Sequence, residues 1–349
     1  MKEFSLYPIF IYKLFKKFLL VTLFFWLCIN DIFSAQVNDR SKEIDYFVYE
    51  LMNKYHVPVI SLAIIDNGRV VKKKIYTIDK KLKVSVDSLF QSASIGKSVV
   101  AYAALRLVDE EKINLDQDVN IYLSNWKIPS SRYTKKKKIT LRNILSMTSG
   151  LSVSGFYGHF INDELPTLKQ ILNGEPPAEN QSVRSIFIPG SRYYYSGGSY
   201  EVLEQLLIDM SGEPFNAFMQ QTVLSPLQMD HSQFVAILPK PLWSQAVPGF
   251  LSNGEMIEGK WKIISALGAG GMWTTATDLA KFVINIIDSF HGKQTGLISK
   301  KLAYEMLSRQ KNTDFGLGFV IDGCNKNLNF RKEGHNIGFY NWLITFPFT

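Results

Sequence analysis

The sequence predicts a mixed α+β (α/β) fold in which helices flank an antiparallel sheet drawn from both ends of the chain. Three observations predict it: a hairpin pattern near residue 60, strand character returning after residue 315, and a middle dominated by helical periodicity. That middle would be an inserted helical subdomain, leaving a cleft between the layers. With 349 residues, 46% of them apolar, the chain can build such a core without disulfides or a structural metal.

Residues 1–35 stand apart from this fold. Lys13, Lys16 and Lys17 precede an uncharged apolar stretch from Phe18 to Ile29, which is short for a membrane span and suited to a signal-peptide core. The segment is expected to be a signal peptide or an uncleaved membrane anchor, so the protein is expected to be exported, periplasmic or extracellular. Residues 36–349 then form one domain, with a sheet region over about 36–115 and 269–349 and a helical subdomain over about 116–268.

The elements follow in order. Ile44, Phe47, Val48 and Leu51 recur at helical spacing between Ser41 and Tyr55. Val59 to Ile65 is rich in β-branched residues, Asn67-Gly68 is the dipeptide a tight hairpin turn selects, and Arg69-Val70-Val71 begins the return strand. Between Lys97 and Glu111, the residues Val100, Ala104, Leu107 and Val108 share one helical face. Further helices are expected from Thr140 to a stop at Gly150, from about Tyr200 to a stop at Gly212, after Pro214, and from a cap at Thr275. Strands are expected over Phe315–Ile321 and Phe339–Phe346.

Composition excludes several classes. The net charge is +8, and the leader accounts for four lysines, one glutamate and one aspartate, so +6 remains beyond it. Lys135 to Lys138 supplies part of the excess and reads as a solvated loop, with anionic lipid or cell-wall polymer as the alternative contact. No nucleic-acid motif accompanies it. Beyond Cys28 in the leader only Cys324 remains, so no internal disulfide is expected. His56, His159, His231, His291 and His335 show no metal-ligand spacing, so neither metal nor cofactor is expected. No Gly-x-Ser-x-Gly elbow is present. Gly268-Ala269-Gly270-Gly271 lacks dinucleotide-binding spacing and reads as a place of close backbone packing.

The chemistry concentrates at Phe90-Gln91-Ser92-Ala93-Ser94-Ile95-Gly96-Lys97, where a strand-like run passes into a helix. A serine hydroxyl is a weak nucleophile and needs an adjacent base. Lys97, three residues on, lies on the same helical face, and the helix start favours developing negative charge at Ser94. A lysine base needs its pKa lowered from ~10.4 by about three units, roughly 4–5 kcal/mol, which burial and a second nearby cation can supply. Ser124 with Lys127 and Ser308 with Lys311 share the spacing, but only Ser94 sits between a strand and an apolar helix.

From Ser94-Ile95-Gly96-Lys97-Ser98-Val99-Val100-Ala101 onward, the chain resembles the serine β-lactamase and penicillin-binding protein superfamily, nearest to class C β-lactamase-like proteins. The resemblance extends over Val57-Pro58 and the hairpin, Leu141 to Leu151, and Ala266 to Phe282, and runs from about residue 40 onward. It implies a β-lactamase/transpeptidase-like sheet flanked by helices and a serine hydrolase acting through an acyl-enzyme. The family's second motif, Tyr-x-Asn, falls at Tyr195-Ser196-Gly197, which implies that Tyr195 shares proton transfer with Lys97. Gly197 stands where the commonest pattern has a substrate-binding Asn.

The third motif falls at Lys332-Glu333-Gly334. A register with His335 in the basic position is disfavoured because Ile337 would replace the glycine. The resemblance implies that Lys332 is the second cation, that Gly334 lines the cleft, and that the backbone N–H groups of Ser94 and His335 form an oxyanion hole. Glu333 replaces the usual hydroxyl residue and would disfavour carboxylate-bearing substrates unless it turns away. No class A-type deacylating glutamate motif is visible. Family members usually continue past this motif with further strands and a C-terminal helix, whereas fifteen residues follow Gly334 here, so an open edge strand and sheet face are expected. The expected partner is a small-molecule or peptide substrate (a D-amino-acid or cell-wall peptide, a β-lactam or an ester), turned over by a monomer. Gly197 and Glu333 motivate a competing expectation, a catalytically inactive sensor or binding protein.

Overall fold

The computed structural model describes residues 37–348. The leader expectations for residues 1–35 lie outside the described residues. Helix α1, Val37–Tyr55, belongs to the first of two compact units, which ends at Tyr55. The second unit, His56–Thr349, holds every other described element.

That unit opens with an antiparallel hairpin, β1 (Val59–Asp66) and β2 (Arg69–Thr77). Asn67 and Gly68 both take positive φ, 49° and 70°, the conformation that a right-twisted two-residue hairpin turn requires. Strand β3 (Phe90–Gln91) leads through a 3₁₀ turn, Ala93–Ile95, into α2 (Gly96–Asp109). From Gly96 to Leu105 this helix is buried on every face, so it is the central rod of the core.

The middle is helical, with α3 (Leu141–Leu145), α4 (Leu168–Asn173), α5 (Gly197–Ser211) and α6 (Phe215–Met219). Short polar caps start most of these helices. Thr140 and Thr167 form capping boxes, and Ser196 accepts from the Ser199 amide, each worth about 1 kcal/mol. Helix α5 ends on Gly212 in the left-handed conformation at φ 72°. Helix α3 stops five residues before Gly150, because Met147 already adopts a left-handed φ of 57°. The chain continues through β4 (Gln233–Phe234), the single-turn α7 (Leu267–Gly270), β5 (Met272–Thr274), α8 (Ala276–His291) and α9 (Lys300–Met306). Thr275 caps α8 as expected. The last elements are β6 (Val320–Asp322), β7 (Asn329–Asn336) and β8 (Phe339–Thr345). The strand expected over Phe315–Ile321 is confined to β6, since Gly318 at φ 103° breaks the extended run.

Where one sheet was expected from the two chain ends, the described strands form three antiparallel sheets, β1-β2, β3-β5-β4 and β6-β7-β8. Strand β1 is half-buried along its whole length and lies against α8 instead of joining the β6-β7-β8 ladder. One contiguous core runs from α2 through α5 to α8, with Tyr102, Tyr200, Leu203 and Phe282 closed to solvent. A smaller aromatic cluster joins Trp261, Trp273 and Phe339 edge to face. Between these cores, β7 packs against the 3₁₀ turn that carries Ser94.

Candidate active site

Ser94 is half-buried, whereas its neighbours from Gln91 to Val100 are all buried. It is the one side chain of that segment offered to the cleft. The turn that presents it is strained: Ala93, a non-glycine residue, has φ 50°. Left-handed φ at such a residue costs of order 1–3 kcal/mol and persists only where packing enforces it. The enforcing neighbour is β7. A Cβ at Gly334 would collide with the Ser92 carbonyl and lie 3.2 Å from the Ser94 amide nitrogen. Only glycine lets strand and turn approach this closely, which explains residue 334.

Ser94 Oγ accepts two hydrogen bonds, from Lys97 Nζ at 3.1 Å and from Tyr195 OH at 2.8 Å. Tyr195 is delivered by the extended segment ahead of α5, 101 residues along the chain from Ser94. Lys332, on β7, lies beside the phenol, with Nζ 5.1 Å from the ring centroid. Hydrogen bonds thus join Ser94, Lys97 and Tyr195, and Lys332 stands beside the Tyr195 ring.

The electrostatics depart from expectation in one respect. Lys97 is 2% exposed and its pKa falls from 10.5 to about 7 because burial penalises the ammonium. Burial, and not the second cation, supplies the lowering, and the nearby Glu201 charge opposes it. Lys332 is 3% exposed, and its pKa is also lowered, first by burial and further by Lys97, with Tyr195 acting in the opposite direction.

Around this centre the remaining sequence-derived residues take distinct positions. Along β7, Lys332 and Gly334 are buried and face Ser94, while Glu333 and His335 are exposed, the alternation a strand imposes. Among the described residues the Glu333 side chain has no hydrogen bond or ion pair; burial, then Tyr195, and last the Glu333 charge raise the pKa of Tyr193, so Glu333 lies near Tyr193 and next to Lys332 in sequence. Desolvation pushes the Glu333 pKa itself upward. His335 stacks on Tyr340 at 4.3 Å, with the ring outside the site. Gly197 is packed: a Cβ would meet the Phe156 ring at 3.1 Å and the Ser154 carbonyl at 3.2 Å. An aromatic wall thus fills the space that a side chain at 197 would enter.

Sequence reasoning missed four contributors: Phe156, the Ala269 carbonyl, Glu201 and Glu204. Lys97 Nζ donates to Ala269 O, which gives the amine a second anchor besides Ser94. The glycine-rich run around Ala269 does serve close packing, since a Cβ at Gly268 would collide with the Tyr200 carbonyl. Its contact with Lys97, 172 residues away, has no local signal. Among the described residues, no cluster of His, Cys, Asp and Glu could hold a metal ion.

The family model described as Beta-lactamase matches residues 44–347. The Staphylococcus aureus (strain N315) protein flp is 26% identical over 203 residues, which span 56% of this chain and 39% of flp. The chain thus covers well under half the length of that relative. A putative penicillin-binding protein, PbpX of Bacillus subtilis, is 26% identical over 314 residues, 86% of this chain and 73% of PbpX. Among solved structures, an octameric penicillin-binding protein homologue from Pyrococcus abyssi aligns with TM-score 0.71 at 22% identity, covering 88% of this chain and 71% of its own. A Beta-lactamase/D-alanine Carboxypeptidase from Yersinia pestis, complexed with citrate, aligns with TM-score 0.66 at 19% identity, covering 90% of each chain.

Proposed function

This chain belongs to the beta-lactamase family, and we propose that it is a serine hydrolase working through an acyl-enzyme on an amide, lactam or ester. One observation carries the reading: a single accessible hydroxyl, Ser94 Oγ, accepts from both a buried lysine amine and a phenol. A neutral Lys97 amine takes the Ser94 proton as Oγ attacks the substrate carbonyl. Tyr195, bridging toward Lys332, returns a proton to the leaving group. Water then attacks the acyl-enzyme by the reverse route. The amides of Ser94 and His335 are the proposed oxyanion donors, and losing such a donor typically costs about a hundred- to a thousandfold in rate. Lys332 stands beside the phenol and is the proposed second cation of the site.

The substrates proposed are a D-amino-acid or cell-wall peptide, a β-lactam or a simple ester. Export belongs to the same proposal and rests on the apolar stretch Phe18 to Ile29 behind three lysines. A second reading, a binding protein that does not turn over, draws on the packed Gly197 and the rim carboxylate of Glu333. A fluorophosphonate probe followed by intact-protein mass spectrometry tests both. The hydrolase reading expects one adduct on the wild type and none on Ser94→Ala. A folded wild type that never labels refutes it, and an adduct on a protein that hydrolyses no ester, peptide or β-lactam favours the binding reading.

A further inference from the structure

Two carboxylates beneath the site have no part in the chemistry above, yet both are buried: Glu201 and Glu204, one turn apart on α5. Burying a carboxylate is costly unless it is hydrogen-bonded, so each needs a reason. Glu201 Oε1 accepts from the Ala269 amide at 2.9 Å, and Glu204 Oε2 accepts from the Gly268 amide at 2.7 Å. These amides belong to the first turn of α7, which has no side-chain cap of its own. The opening N–H groups of a helix need outside acceptors. Here they come from another helix, about 65 residues away in sequence. The same α7 turn carries the Ala269 carbonyl that accepts from Lys97 Nζ.

We propose that Glu201 and Glu204 are positioning residues for Lys97, clamping the Ala269 and Gly268 amides so that the Ala269 carbonyl holds the amine against Ser94. The inference rests on Lys97 being the proton acceptor. It explains why two acids persist in the buried stretch of helix between Tyr200 and Leu207, and why Gly268 must lack a side chain. Burial raises the pKa of both carboxyls, and each keeps one oxygen as acceptor for an α7 amide. Among the described residues Glu201 Oε2 has no hydrogen-bond partner, so its hydrogen-bonded link to Lys97 runs through α7, beside the direct influence of its charge on the amine.

The test uses the full chain and a fluorophosphonate probe, with the inactivation rate constant separated from reversible probe affinity. Glu201→Met removes the acceptor at similar volume and should lower the rate constant at least tenfold with affinity within threefold. Glu201→Gln keeps an acceptor carbonyl and should recover to within threefold of wild type. A folded Glu201→Met protein with the wild-type rate constant overturns the proposal, as does a loss confined to affinity. If Glu201→Met does not fold, Glu204→Met is read the same way. Should the wild type not label, the hydrolase reading fails separately, and the clamp is read by amide hydrogen exchange. Glu201→Met should then raise exchange in the 267–270 segment at least tenfold, and unchanged exchange overturns the clamp.

Discussion

Lys97 and Lys332 flank one tyrosine, their amines 5.5 Å and 5.1 Å from the Tyr195 ring centroid, and both are almost closed to solvent. Their surroundings differ. Lys97 has two directional acceptors, Ser94 Oγ and the Ala269 carbonyl. Lys332 has the Tyr195 phenol and the ring of Phe315, at 5.1 Å. The lesson is that residue type does not set the role of a buried amine. The Lys97 amine is hydrogen-bonded to the nucleophile, whereas the Lys332 amine faces a phenol and a ring. The sharpest way to break this contrast is to remove each amine in turn. Lys97→Met should lower acylation about a thousandfold or more, within the range of general-base losses, measured as the rate constant for probe labelling. Lys332→Met should cost less, about ten- to a hundredfold, because it acts through Tyr195. Equal losses would dissolve the distinction.

The second prediction uses pH. With the Lys97 pKa near 7, the amine is protonated below that value and cannot accept the Ser94 proton. The labelling rate should therefore rise with pH through about 7 and fall close to tenfold per unit on the acid side. The sign follows from burial favouring the neutral amine. An acid limb that stays in place when Lys97 is replaced would assign it to another group.

The contrast also separates what the chain announces locally from what it conceals. The Ser94–Lys97 pair is three residues apart on one turn, and its strand-to-helix setting is visible in the residues themselves. Asn67-Gly68, the Thr275 cap and the Gly212 stop are equally local, and each depends on backbone preferences of one or two residues. Tyr195 and Lys332 were located by resemblance, since nothing local marks one tyrosine of three consecutive ones. Of the two expected sources of the low Lys97 pKa, burial acts and the second cation does not, because the burial comes from packing against α7, whose extent sequence periodicity does not reveal. Glu201 and Glu204 show as polar breaks in an apolar helix, but their partners lie more than sixty residues away. The missed β4 and β5 have two and three residues, too few to show an alternating pattern.

The smallest predicted effect concerns the residue beside Lys332. Glu333 is exposed, without a hydrogen bond or ion pair among the described residues, and next to an amine otherwise well placed to attract an anionic substrate group. Solvent screens a carboxylate at the rim, so its influence is modest. Glu333→Thr should raise acylation by a fluorescent penicillin, which bears a carboxylate, by about threefold to tenfold. Labelling by a neutral fluorophosphonate should stay within twofold, so the ratio of the two rates isolates charge from any general change in the nucleophile. If both probes respond alike, Glu333 alters the shape of β7 and not its field. If only the penicillin responds, the rim carboxylate discriminates against carboxylate-bearing substrates while the two buried lysines beneath it keep their separate roles.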